Sequence, residues 1–115
     1  MPARRRRLDT RLLYPRAYFT NPHEFGQRPD LASHLPAEGD ERSRQVAQAQ
    51  HTIACLIRTH ARPHDAARLT ERFGFSKQLW SSCLNGHAWM PQPVWAAAAT
   101  LVVGRALQWP PPNRD

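Results

Sequence analysis

Apolar residues recur at Val46, Ala49, Ile53, Leu56 and Ile57 within residues 42–60, the spacing of one face of an amphipathic helix. Asp40 or Ser43 stands where a side-chain cap is needed. Arg62 and Pro63 close the stretch, because proline disfavours helix at the residue before it. Residues 64–73 (HDAARLTERF) repeat the pattern on a shorter scale, with Ala66, Leu69 and Phe73 facing inward. Gly74 follows, where a left-handed residue ends a helix, and Ser76 then caps a third helix over residues 77–84, ended by Asn85 and Gly86. After the loop HAWMPQP, residues 94–107 predict a fourth helix, rich in alanine and apolar on most sides; Trp109 and three prolines finish the chain.

Ahead of residue 40 no period is sustained, and Pro15, Pro22, Pro29 and Pro36 forbid a long helix. Leu12, Leu13, Tyr14, Tyr18, Phe19 and Phe25 nevertheless supply apolar surface that can lie against a core in places. The expected division is an arm over residues 1–39, a helical domain over residues 40–109 and a tail over residues 110–115.

Residues 69–86 read LTERFGFSKQLWSSCLNG, and six positions in this run meet one geometric requirement each. Two short helices that cross closely need a small residue inside the first, here Thr70, and a glycine at the sharp turn, here Gly74. They also need an apolar residue after the glycine, a cap, and an apolar inner face on the second helix. Phe75, Ser76, and the pair Trp80 and Cys83 supply these in order. The predicted fold class is therefore all-α: a compact four- to five-helix bundle containing a helix-turn-helix, preceded by an irregular basic N-terminal arm.

On these residues the stretch 46–107 resembles the lambda-repressor-like family of Cro/Xre type. The matching pieces are ERFGFS, then SSCLNG, then HAWMPQPVWAAAATLV, in which a proline precedes an apolar helix. The resemblance implies binding to double-stranded DNA at an operator, with residues 76–85 as the recognition helix and Gln78 and Ser82 facing bases. Ala66 stands where the family commonly has a glutamine, Thr70 where it has alanine, and Trp80 where it has a smaller residue. In this reading Ser76 sits at a phosphate, Lys77 and Gln78 reach base edges and Leu79 touches a thymine methyl. Ser81, Ser82, Asn85 and His87 complete the contact set. Relatives that bind as dimers imply a possible homodimer, for which the arm, the fourth helix or Trp109 would have to serve.

Charge strengthens the expectation. Sixteen Lys and Arg against nine Asp and Glu leave a net charge of +7 and a pI near 11.0, which favours nucleic acid, then an acidic membrane surface, then an acidic protein. Arg4, Arg5, Arg6 and Arg7 read either as an arm that enters the minor groove or tracks phosphates, or as a solvated tail that adds charge alone. Arg58, Arg62, Arg68 and Arg72 divide in the same way between phosphate contacts and a solvated face. The longest apolar run, residues 94–104, is shorter than the roughly 20 residues a bilayer span requires. No apolar segment follows the basic start, so a signal peptide is not expected, and a cytoplasmic, nucleoid-associated location is.

Other chemistry is weaker. His51 with Cys55, and Cys83 with His87, are spaced one helical turn apart, so the four could gather as a zinc site. Two buried cysteines acting as small apolar residues explain the same spacing, and no metal is expected. Trp89, Trp95 and Trp109 could stack on unpaired bases, but their place in and beside a helix favours packing. There is no glycine-rich phosphate loop, nucleophile elbow or HExxH motif, so neither an enzyme, a cofactor nor a small-molecule substrate is expected. The competing class is a protein-interaction module, such as an antitoxin or a host-factor-binding protein, built on the same helices.

Overall fold

The computed structural model describes residues 14–107, with side chains as far as residue 104. Four helices carry the fold: α1 (Glu41–His60), α2 (Asp65–Phe73), α3 (Lys77–Leu84) and α4 (Gln92–Leu107). Asp40 caps α1 by accepting the Ser43 amide at 3.4 Å, while Glu41 in the first turn and Arg58 and His60 in the last complement the helix dipole. The helix stops at Ala61, which is already extended ahead of Arg62 and Pro63. Pro93 sits near the start of α4, where a missing amide hydrogen is harmless.

Packing links the helices in a simple scheme. α1 lies against both α4 and α3, and α2 lies against both α3 and α4. The shared core contains Ala54, Ile57, Leu69, Trp80, Cys83, Val94, Ala97, Ala98 and Leu101. Trp89 and Trp95 are half-buried against it, consistent with a packing role.

The face that α1 buries is only partly the one its apolar residues predict: Ile57 is buried and Ile53 half-buried against the core. Val46 and Leu56 are each 39% exposed and Ala49 is exposed, whereas Ala47, Gln50, His51, Ala54, Cys55 and Ile57 are buried. The stripe 47, 50, 51, 54 has helical spacing too, but two of its members are polar and fail a hydropathy test. They are buried because backbone groups elsewhere in the chain satisfy them.

Those partners come partly from the segment ahead of α1. It contains two short 3-10 turns, Pro15–Tyr18 and Pro22–Glu24, and then doubles back so that Phe19 and Ser33 form an isolated antiparallel bridge. Tyr18, Phe19, Phe25 and Leu31 are at most 4% exposed and belong to the helices' own core. This contribution is deeper than an arm that packs in places. The Tyr18 ring meets Trp89 edge-on at 5.9 Å, and Phe19 and Phe25 pair edge-to-face at 5.3 Å. Among the described residues there is no β-strand. No helix in that range is long and apolar enough to cross a membrane.

Candidate functional site

Gly74 joins α2 to α3 in the left-handed conformation, at φ 77° and ψ 43°. Its amide donates to the Thr70 carbonyl at 2.9 Å, and the Phe75 amide donates to the same oxygen at 3.1 Å, which closes the last turn of α2. The Ser76 hydroxyl oxygen then accepts the Leu79 amide at 3.0 Å and starts α3. Trp80, Cys83 and Leu84 form the buried side of α3, with the Phe75 ring stacked on Trp80 at 5.9 Å. Thr70 is buried beside them, and its hydroxyl is satisfied by the Ala67 carbonyl at 3.1 Å.

The other side of α3 is polar. Ser76, Lys77, Gln78 and Ser81 are exposed, and Ser82 is half-buried. Leu79 is also half-buried and packs against the core, which leaves only part of its side chain for an outside contact. Asn85 and His87 have partners inside the protein. Asn85 Oδ1 accepts from the Arg58 guanidinium at 2.6 Å, and the His87 ring lies 2.7 Å from Arg16 Nη1. Arg4, Arg5, Arg6 and Arg7 lie outside the described residues, as do Leu12, Leu13 and Trp109.

The C-terminal end of α3 is held by residues that sequence reasoning missed. Gln50, wholly buried on α1, donates from Nε2 to the carbonyls of Cys83 and Ala88, both at 2.9 Å, and accepts the Met90 amide at 3.1 Å. Arg58 reaches the Leu84 carbonyl at 3.5 Å as well as Asn85. From the N-terminal segment, the Arg16 amide donates to the Gly86 carbonyl at 3.2 Å. Gly26 lies so close to the Leu84 carbonyl oxygen that a β-carbon there would overlap it. A glutamine one turn before a pair of apolar residues carries no distinctive sequence signal, because its partners lie more than thirty positions away.

Charge is unevenly spread. Residues 1–13 hold five arginines and one aspartate, and so account for four of the seven net positive charges. Arg68 and Arg72 are exposed on α2 and border a cleft with Asp65, Thr100 and Gly104, on the side that faces α4. Arg58, from α1, and Arg16, from the N-terminal segment, are basic residues at the end of α3.

The two thiols are buried and free. Burial pushes Cys83 up to about 11 and raises Cys55, the latter opposed by nearby Arg58, so neither is a ready nucleophile or metal ligand at neutral pH. His51 lies beside Cys55, with Nε2 at 3.7 Å from the sulfur, but Cys83 turns to the Trp89 carbonyl and His87 to Arg16. The four therefore do not converge, and the described residues contain no group of three or more His, Cys, Asp or Glu that could hold a metal. Compared with known proteins, the chain matches no family model, no curated protein and no solved structure.

Proposed function

We propose that the protein binds double-stranded DNA as a transcriptional regulator of repressor type, with α2 and α3 as a helix-turn-helix and the start of α3 in the major groove. The observation that carries this reading is the two-sided build of α3. Ser76, Lys77, Gln78 and Ser81 are exposed on one side, while Trp80, Cys83 and Leu84 are buried on the other and the C-terminal end is pinned by Gln50 and Arg58. A rigidly held helix whose outer side carries an amide, an ammonium and hydroxyls suits base-edge and phosphate contacts. Gln78 matches adenine, whose N6 and N7 a glutamine can bridge.

The chain enters the described part at Tyr14, and the Arg16 amide is bonded to Gly86 at the end of α3. In this reading the five arginines of residues 1–13, which precede that bond in sequence, neutralise phosphates flanking the site. A cytoplasmic, nucleoid-associated location goes with this reading, as does a homodimer on paired half-sites.

The test is a gel shift on fragmented genomic DNA challenged with heparin, followed by selection of bound sites from a random duplex pool. Retention of particular fragments that share a motif supports the reading. Release of all DNA by heparin, with no motif enriched, counts against it.

A second reading, a protein-interaction module, is favoured by one observation. Val46 is left 39% exposed in a cleft of mixed polar and apolar lining with Arg42, Ser43, Trp89, Met90 and Trp95. Co-purification of a single protein partner without DNA supports it.

A further inference from the structure

His51 is wholly buried in the middle of α1, yet both of its ring nitrogens are engaged by the N-terminal segment. Nδ1 accepts the Gly26 amide at 2.8 Å. Nε2 lies 3.0 Å from the Arg28 carbonyl, which can only accept, so the proton sits on Nε2 and the ring is neutral. Phe19 and Phe25 flank the ring at 5.1 and 5.4 Å. The glycine held by this bond is the one whose backbone abuts the Leu84 carbonyl, and the adjoining Phe25 ring lies against Gly86. His51 therefore grips the segment at the point where the segment seats the end of α3.

We propose that His51 is a protonation-sensitive clasp: charging its ring detaches the Gly26–Arg28 stretch from α1 and loosens the seat of the C-terminal end of α3. As a regulatory device this rests on the reading of α3 as the DNA-contacting helix, because loosening its seat weakens binding in mild acid.

The chemistry is direct. A second ring proton would appear on Nδ1 and point at the Gly26 N–H, so one hydrogen bond is replaced by two opposed donors inside an apolar pocket. The titratable group beside the ring is Cys55 on its own helix; the segment presents the Arg28 carbonyl, while the half-exposed Arg28 side chain is paired with Glu24 and Asp30 at 2.9 and 3.0 Å. The neighbouring part of α3 presents the Leu84 carbonyl and Gly86, which carry no titratable group. Desolvation accordingly holds the imidazole below the ordinary histidine range, with the Arg28 carbonyl opposing it in part.

The sign follows from that direction. The folded state binds the proton less readily than the unfolded chain. The contribution to stability is therefore complete above the ordinary histidine pKa of 6.5 and is lost as pH falls below it, towards the depressed folded value.

The experiment is an NMR titration of the full chain without DNA, from pH 8 to pH 4.5, following the His51 ring, the Gly26 amide and amides of α2 and α3. Gly26 exchange protection is expected to drop at least tenfold as His51 charges, together with shifts at Leu84, Asn85 and Gly86, while Leu69 stays protected. Constant Gly26 protection through the His51 titration overturns the clasp. So does simultaneous loss of Gly26 and Leu69 protection in one global transition.

His51→Asn keeps an acceptor and removes the titration, so the acid step should vanish; an unchanged step in a folded variant also overturns the proposal. Should that variant not fold, the wild-type titration decides alone. Because this readout contains no DNA, failure to bind DNA leaves it standing. A clasp that fails with DNA binding intact refutes the clasp only.

Discussion

Gln50 and Met90, forty positions apart, are joined by a 3.1 Å hydrogen bond between a buried side-chain oxygen and a backbone amide. The same amide group ties down the carbonyls of Cys83 and Ala88, so one side chain fixes the end of α3 and the loop that leads to α4. Replacing it with leucine keeps the volume but orphans the Met90 N–H and the Ala88 oxygen. A buried group left without a partner costs about 1–3 kcal/mol. Gln50→Leu should therefore lower stability by about 3 kcal/mol, measured as a shifted urea midpoint with an unchanged slope. A loss under about 0.5 kcal/mol would mean that the latch contributes nothing.

Gly26 and Gly74 both adopt positive φ, at 76° and 77°, but for different reasons. Around Gly74 a β-carbon would meet nothing within 4 Å, so Gly74→Ala carries only the conformational penalty of about 1 kcal/mol. At Gly26 the same substitution drives a methyl into the Leu84 carbonyl and towards Ala54. Gly26→Ala should be the worse of the two by at least about 2 kcal/mol, since backbone must move to relieve it. Thermal melts of the two variants side by side check the order, and equal shifts would contradict the close approach.

Much of the helical layout was legible in the sequence because short-range signals mark helix ends. Asp40, Gly74, Ser76 and the paired Asn85 and Gly86 each act through bonds to residues a few positions away, and each stands where those signals place it. What failed was part of the inner face of α1, since Ile57 and Ile53 do turn to the core. Hydropathy selected Val46 and Leu56, yet the chain buries Gln50 and His51, whose partners at Gly26, Arg28, Cys83, Ala88 and Met90 are remote in sequence. Periodicity records only the polarity of a side chain and is blind to a distant backbone that will satisfy it. The depth at which Phe19 and Leu31 are buried was hidden for a related reason. Frequent prolines conceal the order of a segment that is held by tertiary contacts instead of its own helix.

Within the site, the exposed polar run at the start of α3 was legible, while the partners of Asn85 and His87 were not. Asn85 is bonded to Arg58, and His87, though exposed, to Arg16; both arginines belong to other elements. Leu79 fares similarly, since an apolar side chain beside Trp80 finds cover in the protein first.

The buried Cys83 thiol makes stability depend on alkaline pH. Its folded pKa of about 11 lies above the ordinary value of 9.0, so the fold favours the protonated thiol. That contribution is intact below about pH 9 and declines as pH rises towards 11. Cys83→Ala should show a shallower loss of stability between pH 8.5 and 10.5 than the wild type. In addition, the wild-type thiol should resist a disulfide reagent at pH 8 until denaturant is added; labelling at the rate of a free thiol in the native protein would refute its burial.

Salt and sequence dependence separate the roles proposed for the arginine run and for α3. Each neutralised phosphate adds about 0.9 to the slope of log affinity against log salt. Replacing Arg4, Arg5, Arg6 and Arg7 with alanine should reduce that slope by up to about 3.6 and weaken all sequences alike. Gln78→Ala should leave the slope unchanged and reduce affinity by about 1–3 kcal/mol for the preferred base at one position only. Lys77→Ala stands between them, because an ammonium can serve a phosphate or a guanine edge, and its effect on the slope decides which. Binding isotherms at three salt concentrations on the selected duplex and a scrambled one measure all three variants. If Gln78→Ala weakens both duplexes equally, the helix touches backbone alone, and specificity must come from the shape of the DNA.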